Sequence, residues 1–250
     1  MTVFAARVVR VRTVSPTLLR VVLGGPGLAG YRASGHPDER LRMYFPEPGS
    51  DSAAVVHAAT AADLARPERE LPLTRRSYTI RNWDAASGLI DVDFAVHDSG
   101  PAIAWLRRAQ PGDWVGVTEA TGWYAPPETA RTALIVSDIT GLPAVQRIVA
   151  APPPSLERVD VLLDLPHADD AADLPAVPNV HYEVRIGPIQ RSPSALAERT
   201  TQHPKPGYLW LAAEAAACQS VKRHALHDWG LAPEQHEIRA YWRAGRERAS

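Results

Sequence analysis

The chain has 250 residues, 45% hydrophobic and 22% charged, with a net charge of −1, the make-up of a globular protein with a sizeable core. So balanced a charge excludes a global field for nucleic acid or an anionic membrane, and any anion site must be local. One cysteine, Cys218, excludes a disulfide framework, a multi-cysteine iron–sulfur cluster and a thiolate zinc site.

The start, MTVFAARVVRVRTV, is broken by arginines. It holds no apolar run long enough for a signal peptide or a membrane span, so a cytoplasmic protein is expected. Apolar alternation there, in LLRVVLGG and in LRMYFPEPG predicts strands bounded by Gly/Pro turns. RRSYTIRNW and LIDVDFAVH follow as strands, joined by the turn-rich DAASG. GPAIAWLRRAQ has the spacing of a short helix with Gly100 and Pro101 at its start, and PGDWVGV predicts one more strand. Strands in this number with a single helix predict a closed antiparallel barrel with a helical cap.

Beyond ATGWYAPPE the pattern changes, which predicts domains at residues 1–122 and 123–250. TALIVSD, RVDVLLDL, NVHYEVRIG, GYLWLAAE and HEIRAYWRAG predict strands. GLPAVQRIVA, SPSALAERTT and AAACQSVKRHALHDWG predict helices between them. Strand–helix alternation of this kind predicts a parallel, doubly wound α/β half.

RRSYTIRNW is unusually polar for a core strand. Alternation puts Arg76 and Tyr78 on one face, about 7 Å apart, with Thr79 and Arg81 on the other. That arrangement suits a flat aromatic ligand with an anionic tail, such as a flavin: the tyrosine covers the ring and the arginine fork holds phosphate. The competing reading is an edge strand whose solvated arginines discourage aggregation. His97 and the Ser-Gly-Pro-Ala turn then precede a helix, and helix N-termini accept phosphate. Two anion-compatible devices on adjacent elements favour the ligand.

RSYTIR is similar to the Arg-x-Tyr-Thr-(Val/Ile)-Arg flavin motif of the siderophore-interacting proteins, a branch of the ferredoxin-reductase-like superfamily. The resemblance continues in order through RVRTVSPTLLRVVLGGPGLAGY, ERLRMYFPEPG, DFAVH with GPAxxW, PGD, TGLPA, GYLWLAAEA and YWRAG. It implies an FAD-binding barrel over residues 1–122 and an NAD(P)-binding-like half over 123–250. The implied activity is reduction of Fe(III)-siderophore to release Fe(II), with electrons passed through FAD from NAD(P)H or a ferredoxin. Iron is then a passing substrate, and no catalytic acid is needed.

By position, the resemblance places Arg76 on the FAD pyrophosphate, Tyr78 on the isoalloxazine and Thr79 near its N5. Ile80 and Arg81 line the ribityl and phosphate side, and His97 with Gly100, Pro101 and Ala102 completes the site. Thr140, in the turn after the first strand of the second half, is implied to approach the flavin. Arg42, Arg243 and Arg246 are candidates for holding an anionic siderophore complex, although RAGRER also reads as a solvated tail. Trp242 either covers the flavin or fills the sheet. His203, His224, His227 and His236 show no metal-ligand spacing, so no metal site is expected. No Gly-x-Ser-x-Gly elbow is present.

The chain departs from the family pattern at several positions. SDITGLPA stands where Gly-Asp-Glu-Thr-Ala-Leu-Pro-Ala is usual, so Ser137 replaces a glycine and Ile139 an acid. Ala213 stands for the glycine of Ala-Gly-Glu, Ile103 for a serine, and Ala240 for the glycine of Gly-Tyr-Trp-Arg. Side chains in place of glycine crowd a pyrophosphate or nicotinamide approaching the backbone. Two alternatives therefore stand beside the reductase. One is a flavin-binding scaffold with weakened nicotinamide binding and a redox-neutral reaction. The other is a module that captures a small metabolite without turnover.

Overall fold

The computed structural model describes residues 2–61, 66–97, 100–188 and 193–245. The chain divides into two compact units, one ending at Gly122 and the other beginning at Trp123.

In the first unit, β1 (Val3–Ser15), β2 (Leu18–Gly24), β3 (Arg40–Pro46), β4 (Leu73–Asp84), β5 (Leu89–Ala95) and β6 (Trp114–Thr118) form a closed barrel in the order β1-β2-β5-β4-β3-β6. Every pairing is antiparallel. Register shifts in β1, between Val8 and Arg10 and between Thr13 and Ser15, bend this long strand around the closure. Gly27, just after β2, is required by close approach: a Cβ there would fall 2.1 Å from the Ala5 carbonyl oxygen.

Alternate residues fill the barrel, among them Val8, Val21, Leu23, Leu41, Met43, Phe45, Ile80, Val92 and Phe94. A short helix, Pro101–Leu106, adds Ala102, Ile103, Trp105 and Leu106 to the same core, which is the helical cap read from GPAIAWL. A helix over Ser52–Ala61, unforeseen in the sequence, packs Ala59 with Val3, Tyr44 and Leu73 in a satellite core. In chain order these two helices are α1 (Ser52–Ala61) and α2 (Pro101–Leu106).

The second unit runs β7 (Thr132–Asp138), α3 (Leu142–Ala150), β8 (Arg158–Leu165), β9 (Val180–Ile186), α4 (Pro193–Gln202), β10 (Tyr208–Glu214), α5 (Ala215–His227) and β11 (His236–Trp242). The strands form a parallel sheet in the order β11-β10-β7-β8-β9. β7 and β10 at its centre are almost wholly buried, as their unbroken apolar runs require. The chain leaves β7 toward β8 and leaves β10 in the opposite direction toward β11. The topological switch point therefore lies at the carboxyl ends of β7 and β10.

Among the described residues, no helix is long and apolar enough to cross a membrane. Nor do any three His, Cys, Asp or Glu side chains among them gather as a metal-holding group.

Candidate functional site

β4 is hydrogen-bonded to β3 on one side and to β5 on the other. It is not an edge, so its arginines do not guard one. Arg76 pairs with Met43, Tyr78 with Leu41, and Ile80 with Val92, which puts these three β4 residues on the face of the apolar core. The Tyr78 ring lies 4.1 Å from that of Phe94 and 6.1 Å, edge-on, from that of Phe45. Phe45 in turn meets Trp105 of α2 at 4.9 Å. An aromatic stack rooted in the core thus backs the half-buried tyrosine and fixes its plane. Burial pushes the Tyr78 hydroxyl well above the ordinary phenol range, against a smaller pull from the Arg76 charge, so the ring stays neutral. The Arg76 guanidinium donates from Nη1 to the Arg75 carbonyl at 2.7 Å.

Thr79 and Arg81 occupy the other face. Thr79 pairs with Arg40, and its Oγ1 is enclosed without a hydrogen-bond partner among the described residues. Such an orphaned hydroxyl is costly unless something else meets it. Arg81 falls at a register shift between Ile80 and Asn82, where its Nε lies 4.0 Å from Asp93. Asp93 is buried and receives a two-pronged clamp from Arg20, at 2.6 and 2.7 Å. Arg20 and Asp93 escape notice in LLRVVLG and LIDVDFA because isolated charges in alternating strands read as solvated. Their opposite charges were the available signal.

His97, exposed just beyond β5, lies beside Gly100: a Cβ built on Gly100 would come 3.5 Å from the histidine's Cε1. Gly100 has φ +119°, which favours glycine, and it brings no capping side chain of its own to the start of α2. Pro101 is exposed, whereas Ala102, like Ile80, is enclosed in the core and shapes the site from behind. Ile103 is buried there as well, so the residue that departs from the family serine is a packing residue. Ser99 of the same turn lies outside the described residues. Arg42 is exposed on β3 opposite Ser77, which puts it on the face of Thr79, away from Arg76 and Tyr78.

In the second unit, Asp138 ends β7 and is buried. Its Oδ1 accepts from the Thr140 amide at 2.9 Å and from the Thr140 hydroxyl at 2.5 Å. Its Oδ2 accepts from the Trp242 indole N–H at 2.7 Å. Burial pushes the Asp138 carboxyl above the usual carboxylate range, opposed by these hydrogen bonds. Thr140 is thereby engaged with its own strand end, and Trp242 has a specific polar partner beyond filling the sheet.

Ser137 is fully buried, and its hydroxyl donates to the Ala212 carbonyl at 2.7 Å, tying β7 to β10. It sits where a Cβ on Gly141 would fall, 2.2 Å from the serine Oγ. Ile139 and Ala213 are also fully buried, Ala213 within the apolar core under α5. The interior of the unit takes up all three side chains. Cys218 is buried too, its thiol pushed up to about 12 by burial, which makes it unreactive.

Glu214 caps α5. Its Oε2 accepts from the amides of Ala216 and Ala217, and its Oε1 from the Ala244 amide at 3.1 Å. Arg243 is exposed and Arg246 lies outside the described residues.

Residues 7–123 match the siderophore-interacting FAD-binding domain, and residues 130–245 match the siderophore-interacting protein model. The chain belongs to the siderophore-interacting protein family. Its architecture is ferredoxin-reductase-like.

The crystal structure of a siderophore utilization protein from T. fusca superposes with a TM-score of 0.82 at 27% identity, covering 100% of this chain and 95% of that one. The ferric vibriobactin reductase of Vibrio cholerae is 28% identical over 95% of this chain and 88% of its own length. The NADPH-dependent ferric-chelate reductase of Escherichia coli is 35% identical over 56% of this chain and 53% of its own. The chain thus spans about half the length of the E. coli protein, and 25% of the length of another curated relative.

The barrel residues fit the family's FAD: a backed aromatic plane, a hydroxyl with no partner among the described residues, arginines on both faces of one strand, and a helix start at a positive-φ glycine. The switch point fits a nicotinamide pyrophosphate less well, because Glu214 already holds the α5 amides that would receive it.

Proposed function

We propose that this chain is an FAD-dependent ferric-siderophore reductase, with NAD(P)H as its electron donor and a ferredoxin as the alternative donor. The observation that carries the proposal is the Arg76–Tyr78–Thr79 set on an interior barrel strand, in a chain of the siderophore-interacting family. In this reading Tyr78 covers the flavin ring, Arg76 and Arg81 hold the phosphates, and His97 with Gly100 and Pro101 receives the remaining anionic charge. Ile80 and Ala102 act through the core behind them. Arg42 and Arg243 meet the negative charge of the iron complex. FAD, when bound, turns the paired electrons of a nicotinamide into single-electron deliveries. One NAD(P)H reduces two Fe(III) to Fe(II) and leaves NAD(P)⁺ and one proton. Position and electrostatics are what the protein adds.

A second reading, a flavin-binding scaffold that does not take electrons from a nicotinamide, is favoured by the occupied α5 amides. Anaerobic mixing of the FAD-loaded protein with NADPH, NADH and reduced ferredoxin, followed by a ferric chelate and an Fe(II)-trapping dye, separates the two. Bleaching by a donor and Fe(II) formation are expected. A flavin that no donor bleaches replaces the reductase with the scaffold, and a protein that takes up no FAD removes both.

A further inference from the structure

Each carboxylate at the switch point is divided between two tasks. One oxygen of Asp138 and one of Glu214 hold the turns that follow their own strands. The other oxygen of each reaches the end of the chain's last strand: Asp138 takes the Trp242 indole N–H, and Glu214 takes the Ala244 amide. The two contacts flank Arg243.

The strand ladder does not do this job. The β10–β11 register slips after Ala213, so that Ala213 pairs with Ala240 but Glu214 pairs with Trp242, leaving Tyr241 out of step. Beyond Trp242 the chain leaves the strand and turns at Gly245, with φ +70°. The segment is therefore held by side chains where main-chain pairing lapses.

We infer that Asp138 and Glu214 are positioning residues that pin residues 242–245 and thereby aim the Arg243 guanidinium at an anionic ferric chelate. This rests on the reading of Arg243 as a substrate contact. An exposed arginine on an unpinned end sweeps many orientations, and ordering it only when the chelate arrives costs affinity. Pinning the residues on both sides removes much of that cost beforehand. Carboxylates are required because a single amide oxygen cannot accept at both places, and an amide NH₂ would face an N–H donor.

The test uses Glu214→Gln and Trp242→Phe in the full chain; the second keeps an aromatic ring while deleting the indole donor. Amide hydrogen exchange at Ala244 is expected to quicken by about tenfold in both variants. The FAD-loaded protein, reduced photochemically with oxalate as sacrificial donor so that no nicotinamide or ferredoxin enters, is then reoxidised with the ferric–EDTA monoanion or with neutral ferric tris(acetohydroxamate). Half-saturation for the anion is expected to rise about five- to tenfold with its limiting rate within about twofold, and the neutral chelate to be unaffected.

Unchanged exchange at Ala244 overturns the inference. Faster exchange with unchanged half-saturation also overturns it, and Arg243→Ala then shows what else falls. If that variant weakens the anion, the substrate reading stands without the pinning; if it does not, the substrate reading falls too.

Discussion

On β4 of the barrel, Thr79 keeps an enclosed hydroxyl with no hydrogen-bond partner among the described residues. On β7 of the parallel sheet, Ser137 is just as enclosed but binds a carbonyl of the neighbouring strand. The contrast extends beyond one pair. The polar groups of β4 stand beside an aromatic stack and a helix start at a positive-φ glycine. Those at the ends of β7 and β10 close turns, cap α5 and hold the final strand. Polar side chains near a site can thus look alike in sequence and differ in whether the chain itself uses them.

The largest expected effect comes from the barrel. The double variant Arg76→Ala/Tyr78→Ala removes a phosphate-holding fork and the ring cover together. FAD affinity is expected to fall by at least about a hundredfold, on the order of 3 kcal/mol. Flavin absorbance of the purified protein reads it, and full FAD retention would move the cofactor off β4.

Next is Asp93→Ala, which takes the buried carboxylate from the Arg20 clamp and leaves Arg20 its longer contact with Asp91 at 3.7 Å. A loss of about 2 kcal/mol in a urea titration is expected, because two charge-assisted hydrogen bonds to a buried carboxylate are lost. A loss below about 1 kcal/mol would mean that the Arg20 clamp is effectively a surface pair.

The smallest is Ser137→Gly, expected to cost about 1–2 kcal/mol through one lost hydrogen bond and added chain freedom. The apparent KM for NADPH should not change. A KM that drops severalfold would put Ser137 in a nucleotide's path and erase the contrast between the two units.

The barrel strands and the strand–helix alternation were legible because their apolar spacing is clean and their turns carry Gly and Pro. The polar residues of β4 stood out because they break a β pattern in a way that core packing does not explain, and the cofactor contacts proposed for them are what the Arg76→Ala/Tyr78→Ala variant tests. α1 was not: SAAVVHAATA is nearly uniform in character, so no apolar stripe marks a helix. Nor were the contacts at the switch point, since Trp242 and Asp138 are 104 residues apart and neither is unusual in its own segment. Ser137 and Ala213 were visible as departures, but their direction was not. Whether a methyl or hydroxyl crowds a ligand or fills the interior depends on which face it takes, and spacing leaves that open where a strand ends.

Closure of the barrel also bears on how this family can change. A strand with two free edges' worth of duties must keep charges simply to stay apart from other molecules. β4, paired on both sides, has no such duty. Its arginines and hydroxyls can be exchanged during descent without inviting strand-to-strand aggregation, and the scaffold beneath them stays the same. A library varied at Arg75, Arg76, Ser77 and Arg81 should accordingly yield soluble proteins at a high rate while their ligands diverge, which makes β4 the natural place to retarget this fold.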